Sequence, residues 1–177
     1  MGHIHTEPGQ YDQTVSAFIV RLDQVEPRIV LHRHKLLGCY LQLGGHVELD
    51  ENPWHALAHE ITEESGYTFD QLQILQQRDG IRSLPGVKLH PVPLVTMSHP
   101  FSDTHNHTDI EYAFSTTQAP RYKVAEGESE DIQLFTRDQL MSLNKEEIPD
   151  NVRETCRFIL DTCLHDWEKV DTRLFEA

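Results

Sequence analysis

Basic residues are scarce in this chain. Fifteen Lys and Arg stand against 29 Asp and Glu, for a formal net charge of −14 over 177 residues. A field of that sign repels polyanions and argues against a protein that wraps DNA or RNA. A small phosphorylated substrate stays admissible, provided a divalent cation mediates the contact. Cysteine is sparse too. Cys39, Cys156 and Cys163 form an odd set without metal-ligand spacing, so they read as free thiols in a reducing cytoplasm. No apolar run approaches the roughly 20 residues that span a bilayer, so no membrane partner is expected. Met1–Glu7 has neither a basic start nor an apolar stretch, unlike a signal peptide. The chain also lacks internal repeats and low-complexity tracts.

What remains is ordinary for a folded domain: 38% hydrophobic and 25% charged residues. The length suits a single domain over residues 1–177. Residues 1–12 are polar and read as an N-terminal arm. Val15–Leu22 and Arg28–Leu36 read as strands, and the Glu26-Pro27 break between them suits a hairpin. Cys39–Leu43 reads as a short strand running into Gly44-Gly45. Residues 74–92 carry Gly80, Pro85, Gly86 and Pro91 and read as loop. Pro93–Met97 and Asp109–Thr116 read as strands, the latter with Ile110, Tyr112 and Phe114 facing inward. After the acidic loop Glu126–Asp131, Ile132–Phe135 reads as a last strand and a short helix starts near Arg137. A final packing helix covers 150–168, where Val152, Cys156, Ile159, Leu160, Cys163 and Trp167 form one apolar stripe. The irregular alternation of strands and helices fits an α/β (α+β) layered domain.

The strongest helix follows Gly44-Gly45. Asn52 suits its N-cap, Pro53 its first position and Gly66 the position past its end. On a helical wheel, Trp54, Leu57, Ala58 and Ile61 make a core-facing stripe. Glu60, Glu63 and Glu64 fall together beside it. Like charges three and four residues apart repel, and the last helical turn disfavours anions. No Lys or Arg within four residues along the helix offsets them. A solvated acidic face would tolerate this; a bound Mg²⁺ or Mn²⁺ would turn the conflict into a site. The double glycine allows main-chain groups to approach a ligand closely.

Taken together, Gly45–Tyr67 resembles the Nudix box, G-x5-E-x7-R-E-U-x-E-E-x-G-U, where U is a bulky aliphatic residue. Gly45 is followed by five residues and Glu51; seven more lead to His59, Glu60, Ile61, Thr62, Glu63, Glu64, Ser65, Gly66 and Tyr67. His59 stands where the family has arginine, which pairs with the glutamate matching Glu51. A histidine is shorter and lacks the bidentate fork. Tyr67 replaces an aliphatic residue, and Leu43 the proline often found before the glycines.

The resemblance implies a Nudix-like α/β/α sandwich with a central mixed sheet over about residues 13–165. It implies Mg²⁺- or Mn²⁺-dependent hydrolysis, by water attack, of a diphosphate linkage in a nucleoside diphosphate joined to a group X. It further implies Glu63 and Glu64 as metal ligands with the carbonyl of Gly45, and Glu60 as a ligand or as the base. Glu51, His59 and Gly44 would support the site. In this family the base sometimes lies outside the box, where Glu128, Glu130 and Asp131 are candidates beside the reading of a solvated loop.

Histidine is plentiful, at 12 residues, with His-x-His pairs at His3/His5, His32/His34 and His105/His107. If extended, His105, His107, Asp109 and Glu111 share one face of a strand. That face could line the substrate pocket, hold Zn²⁺ or Fe²⁺, or be an ordinary polar sheet face. His32–Lys35 reads as an exposed strand end or as a basic rim for substrate phosphate, with Arg33 the best single residue. His3 and His5 carry no assignment.

Two other readings compete with the hydrolase. One is a catalytically weak nucleotide-binding sensor on the same fold, to which His59 lends support. The other is an isomerase acting on isoprenyl diphosphates, whose cysteine pattern the surroundings of Cys39 do not match. Substrate identity and oligomeric state, a homodimer included, stay open.

Overall fold

The computed structural model describes residues 7–102 and 105–175. Two long strands form the centre of one mixed sheet: β1 (Gln10–Arg21) and β7 (His105–Thr116) run parallel, in register from Gln10↔His105 to Arg21↔Thr116. Each is flanked on its outer side by two shorter antiparallel partners. β1 takes β4 (Leu43–His46) along one half and β2 (Arg28–Arg33) along the other. β7 likewise takes β6 (Val95–Pro100) and β5 (Gln73–Gln76). β3 (Tyr40–Leu41) and β8 (Ile132–Phe135) extend the β2 side, and β9 (Glu168–Asp171) pairs with β5.

Alternation along these strands separates two cores. On one face Val15, Ala17, Ile19, Tyr112 and Phe114 pack against Trp54, Leu57 and Ile61 of helix α1 (Pro53–Ser65). On the other, Phe18, Val20, Ile29, Leu31 and Ala113 meet α2 (Arg137–Ser142) and α3 (Asp150–Phe158) through Leu140, Val152 and Cys156. The result is the expected α/β layering.

The expected ends of α1 are those observed. Asn52 is extended, and its side-chain oxygen accepts from the N–H groups of Trp54 and His55 at 3.0 Å each. Such a cap contributes about 1 kcal/mol. Gly66 closes the helix in the left-handed region at φ 72°.

Several boundaries differ from the sequence reading. Residues 1–6, with His3 and His5, lie outside the described residues. Residues 10–12, expected in the polar arm, belong to β1. Their backbone pairs with His105–His107, and Asp12 is buried with Oδ2 3.2 Å from His105 Nε2. β5 interrupts the loop expected over 74–92, burying Ile74 and Leu75. β6 lies at Val95–Pro100, not 93–97, because its pairing with β7 sets its limits. The C-terminal helix ends before residue 168. α3 continues through a π-helical stretch, Ile159–Cys163, to a last turn at Leu164–Asp166, and Glu168 already begins β9. Trp167 is therefore not part of the helical stripe.

Candidate active site

Gly44 and Gly45 sit in β4, between the sheet and α1. An added side chain would collide at each, with backbone at one and with a side chain at the other. Gly44 has φ 148°, and a Cβ there would lie 2.1 Å from the Val15 carbonyl oxygen. A Cβ at Gly45 would lie 2.1 Å from Glu60 Oε1. The bare backbone thus leaves a cradle that the Glu60 carboxylate fills.

Of the three helix carboxylates, Glu60 and Glu64 are buried and Glu63 is exposed. Glu64 Oε2 accepts the Gly44 N–H at 2.7 Å. Burial pushes Glu60 up to about 7, with the charges of Glu63, Glu128 and Glu51 adding to it. Burial pushes Glu64 up to about 8, against the Gly44 hydrogen bond and with the charges of Glu60, Glu128 and Glu63. Among the described residues, no Lys or Arg ion pair reaches Glu60, Glu63 or Glu64. His59 meets Glu51 at 3.0 Å from Nδ1 to Oε2 although its side chain is 70% exposed. Glu51 Oε1 also accepts the Glu48 N–H.

The segment before β8 crosses the C-terminal end of α1. Arg121 and Tyr122 donate their N–H groups to the Gly66 carbonyl, and Ala125 donates to that of Glu63. This brings Glu128 within electrostatic reach of Glu60 and Glu64. Glu130 faces solvent, and Asp131 accepts from the Gln133 side chain.

His32 and Arg33 point to opposite faces of β2. Arg33 packs its guanidinium 5.7 Å from the centre of the Tyr40 ring and donates to the Gly38 carbonyl, on the face away from α1. His32 is buried on the α1 side, with Nδ1 3.6 Å from Glu64 Oε1. Burial, aided by the His34 charge, pushes His32 down to about 4, so between about pH 4 and 8 this contact joins two neutral groups. Nothing in the local sequence distinguishes His32 from His34. Only the packing of α1 over β2 does so.

His105, His107, Asp109 and Glu111 do share one face of β7, all buried, but the face opposite α1. Asp109 accepts from Thr14 at 3.0 Å and Ser16 at 2.8 Å. Burial raises Asp109, and it pushes Glu111 up to about 8 with the Asp109 charge adding to it. His46, the residue after Gly45, turns to this same face, its ring 5.0 Å from that of His107. His46 and Asp12, 3.7 Å apart, escape a motif search because they become neighbours only through strand pairing.

Among the described residues, no three His, Cys, Asp or Glu side chains converge as a metal-binding group. The fit of Glu60, Glu64 and Gly45 to a hard cation rests on their chemistry. Among the described residues, two carboxylates are desolvated without a Lys or Arg pair, beside a glycine pair in which the missing Cβ of Gly45 leaves Glu60 room.

One expectation follows for the metal-free protein. Glu60, Glu64 and Glu111 all lie above their ordinary 4.5 when folded. The folded chain therefore holds extra protons between about pH 4.5 and 8, and their stabilising effect is lost as pH rises through about 7 to 8. With chelator present, the Tm should fall between pH 5.5 and 8.5. Added Mg²⁺ should raise the Tm more at pH 8.5, where it displaces fewer protons. Thermal melts check both; an equal Mg²⁺ shift at the two pH values would count against a carboxylate site.

Comparison with known proteins bears on the same region. The model of the NUDIX domain matches residues 12–156. A hydrolase of the NUDIX family from Clostridium perfringens is 30% identical, with TM-score 0.70, covering 85% of this chain and 96% of that one. An Ap4A hydrolase from C. elegans is 13% identical, with TM-score 0.61, covering 84% of this chain and 95% of that one. A MutT NUDIX hydrolase from Burkholderia pseudomallei is 22% identical, with TM-score 0.54, covering 82% and 95%. The last two are likenesses of fold. A comparison with curated proteins returns no match.

Proposed function

This chain belongs to the Nudix family, and on that premise we propose that it hydrolyses a diphosphate linkage in a nucleoside diphosphate joined to a group X. The observation that carries the proposal is the pair of buried carboxylates, Glu60 and Glu64, set against Gly44-Gly45 with no Lys or Arg ion pair among the described residues. Glu63, at the exposed rim, joins them as a ligand, together with the Gly45 carbonyl.

When bound there, Mg²⁺ or Mn²⁺ would supply charge neutralisation of the diphosphate and a more acidic water. The chain's own groups do the rest. The Gly44 N–H orients Glu64, and the absent Cβ at Gly45 leaves Glu60 its place. Glu51, held by His59 and the Glu48 N–H, supports the turn before α1. Glu60 or Glu128 takes the proton of the attacking water; Glu128 has the advantage of lying outside the ligand set. Glu130 and Asp131 are weaker candidates because one faces solvent and the other is tied to Gln133.

β4 joins the two sides of the site. Gly45 faces α1, and His46 faces His105, His107, Asp109 and Glu111. A substrate lying across this edge would place its diphosphate at the helix carboxylates and its nucleoside or X group against that polar face. Arg33, stacked on Tyr40, would reach substrate only from the rim. The name of the C. elegans relative, an Ap4A hydrolase, fits a nucleotide of this kind. The three cysteines are free thiols, consistent with a reducing, cytoplasmic setting. Among the described residues no helix is long and apolar enough to cross a membrane.

A substrate panel tests the proposal. It spans nucleoside triphosphates, 8-oxo forms, nucleotide sugars, ADP-ribose and dinucleoside polyphosphates, each with Mg²⁺ or Mn²⁺ and phosphate release as readout. Metal-dependent turnover of at least one member is expected. Silence across the panel, with nucleotide binding retained, would instead favour a sensor.

A further inference from the structure

His32 lies outside the helix and its motif, yet it is 3% exposed and directed at Glu64, with Nδ1 3.6 Å from Oε1. That nitrogen is buried without a hydrogen-bond partner. Leaving a buried polar atom unpaired is costly, so such an atom calls for an explanation. The 3.6 Å separation is within about half an ångström of a hydrogen bond.

Its surroundings hold the imidazole in this place. β2 is paired on both sides here, with His32 opposite Leu41 of β3 and Ile132 of β8. The ring packs edge-on against His34, with centroids 6.1 Å apart and planes at 82°. His34 is itself fixed, because its Nδ1 accepts the Leu37 N–H at 3.2 Å. The carboxylate is held from the other side. Glu64 Oε2 is taken by the Gly44 N–H, and Oε1 is the oxygen that faces His32.

We infer that His32 is a positioning residue for Glu64. Donating from Nδ1 to Oε1, it braces the carboxylate opposite Gly44 and fixes the direction of the lone pairs offered to a divalent cation. A ligand gripped on both oxygens loses less freedom when it binds, and loss of such a brace typically costs 10- to 100-fold in metal affinity. Within the box, His59 supports Glu51 from an exposed position. The support for Glu64 comes instead from the sheet. The inference rests on the proposed role of Glu64 as a metal ligand.

Mn²⁺ binding, read from the loss of the free-ion paramagnetic resonance signal, tests it without turnover. Four proteins are titrated beside the wild type: Glu64→Gln, His32→Leu, His32→Asn and His32→Gln. The side-chain amide nitrogen of asparagine lies near the position of Nδ1, whereas that of glutamine lies near Nε2. His32→Leu and His32→Gln should bind Mn²⁺ at least about tenfold more weakly. His32→Asn should stay within about threefold of wild type, since it keeps the donor. Should His32→Leu not fold, the contrast between asparagine and glutamine decides alone. Equal losses in Asn and Gln, or wild-type affinity in Leu or Gln, overturn the positioning role. If Glu64→Gln binds as the wild type does, or the wild type binds no Mn²⁺, the metal reading of Glu64 fails and the positioning role fails with it.

Discussion

Glu64→Gln is expected to lower metal-dependent turnover by at least about a hundredfold while leaving the fold intact, since even supporting groups of metal ligands reach that range. The amide keeps the shape of the side chain, and its oxygen can still accept the Gly44 N–H. What disappears is a charge that burial already disfavours, as the rise of Glu64 to about 8 attests. Removing it should leave the metal-free Tm near that of the wild type at about pH 4.5, where the carboxyl is largely neutral in both folded and unfolded chains, and raise it progressively toward pH 8.5. This pairing of lost turnover with unharmed or improved stability separates a functional group from a structural one. Rates on the substrate found by the panel, with melts at both pH values, check it. Turnover near that of the wild type would remove Glu64 from the mechanism.

The two glycines should fail in different ways. Gly44→Ala places a Cβ 2.1 Å from the Val15 carbonyl oxygen and 2.9 Å from Ser16 Cα, at a φ that side chains rarely adopt. Both neighbours are backbone of the central strand β1, paired here with β4. Neither can yield without opening that ladder, so a loss of about 3 kcal/mol or more is expected. Gly45→Ala instead meets Glu60 Oε1, the end of a side chain that can swing away. Its stability should change by about 1 kcal/mol or less, while Mn²⁺ affinity and turnover fall at least about tenfold. Denaturant melts and Mn²⁺ titration of the two variants measure the contrast. Equal stability losses, or unchanged metal affinity in Gly45→Ala, would mean that the cradle under Glu60 has no functional role.

The parts of the molecule that were legible in the sequence are those with local codes. α1 begins and ends where Asn52, Pro53 and Gly66 place it, because caps act within one turn. β8 covers the apolar run Ile132–Phe135 and α2 starts at Arg137, both as expected. The alternation of His105, His107, Asp109 and Glu111 was readable as one face of a strand, since period two needs no tertiary information. What was not readable depends on pairing. Gln10–Asp12 looks like a polar arm until β7 lies beside it. β9 and β5 are short and hold each other. Which of His32 and Arg33 faces the site depends on the phase of β2 against α1, and Arg33, the more obvious phosphate binder, took the other face. Asp12 and His46 meet the β7 quartet across three strands.

The parallel pairing of β1 with β7 also sets an order of assembly. Thr14 and Asp109, side by side in the finished sheet, are 95 residues apart in the chain. Contacts of such separation are slow to form because the loop must be closed before they stabilise anything. During synthesis, β1, β4 and α1 leave the ribosome well before β7. Until it arrives, Trp54 has neither Tyr112 nor Phe114 to pack against, although their rings lie 5.6 and 6.2 Å away in the folded molecule. A nascent chain stopped short of residue 105 thus carries Glu60, Glu63 and Glu64 on a helix with part of its bed missing.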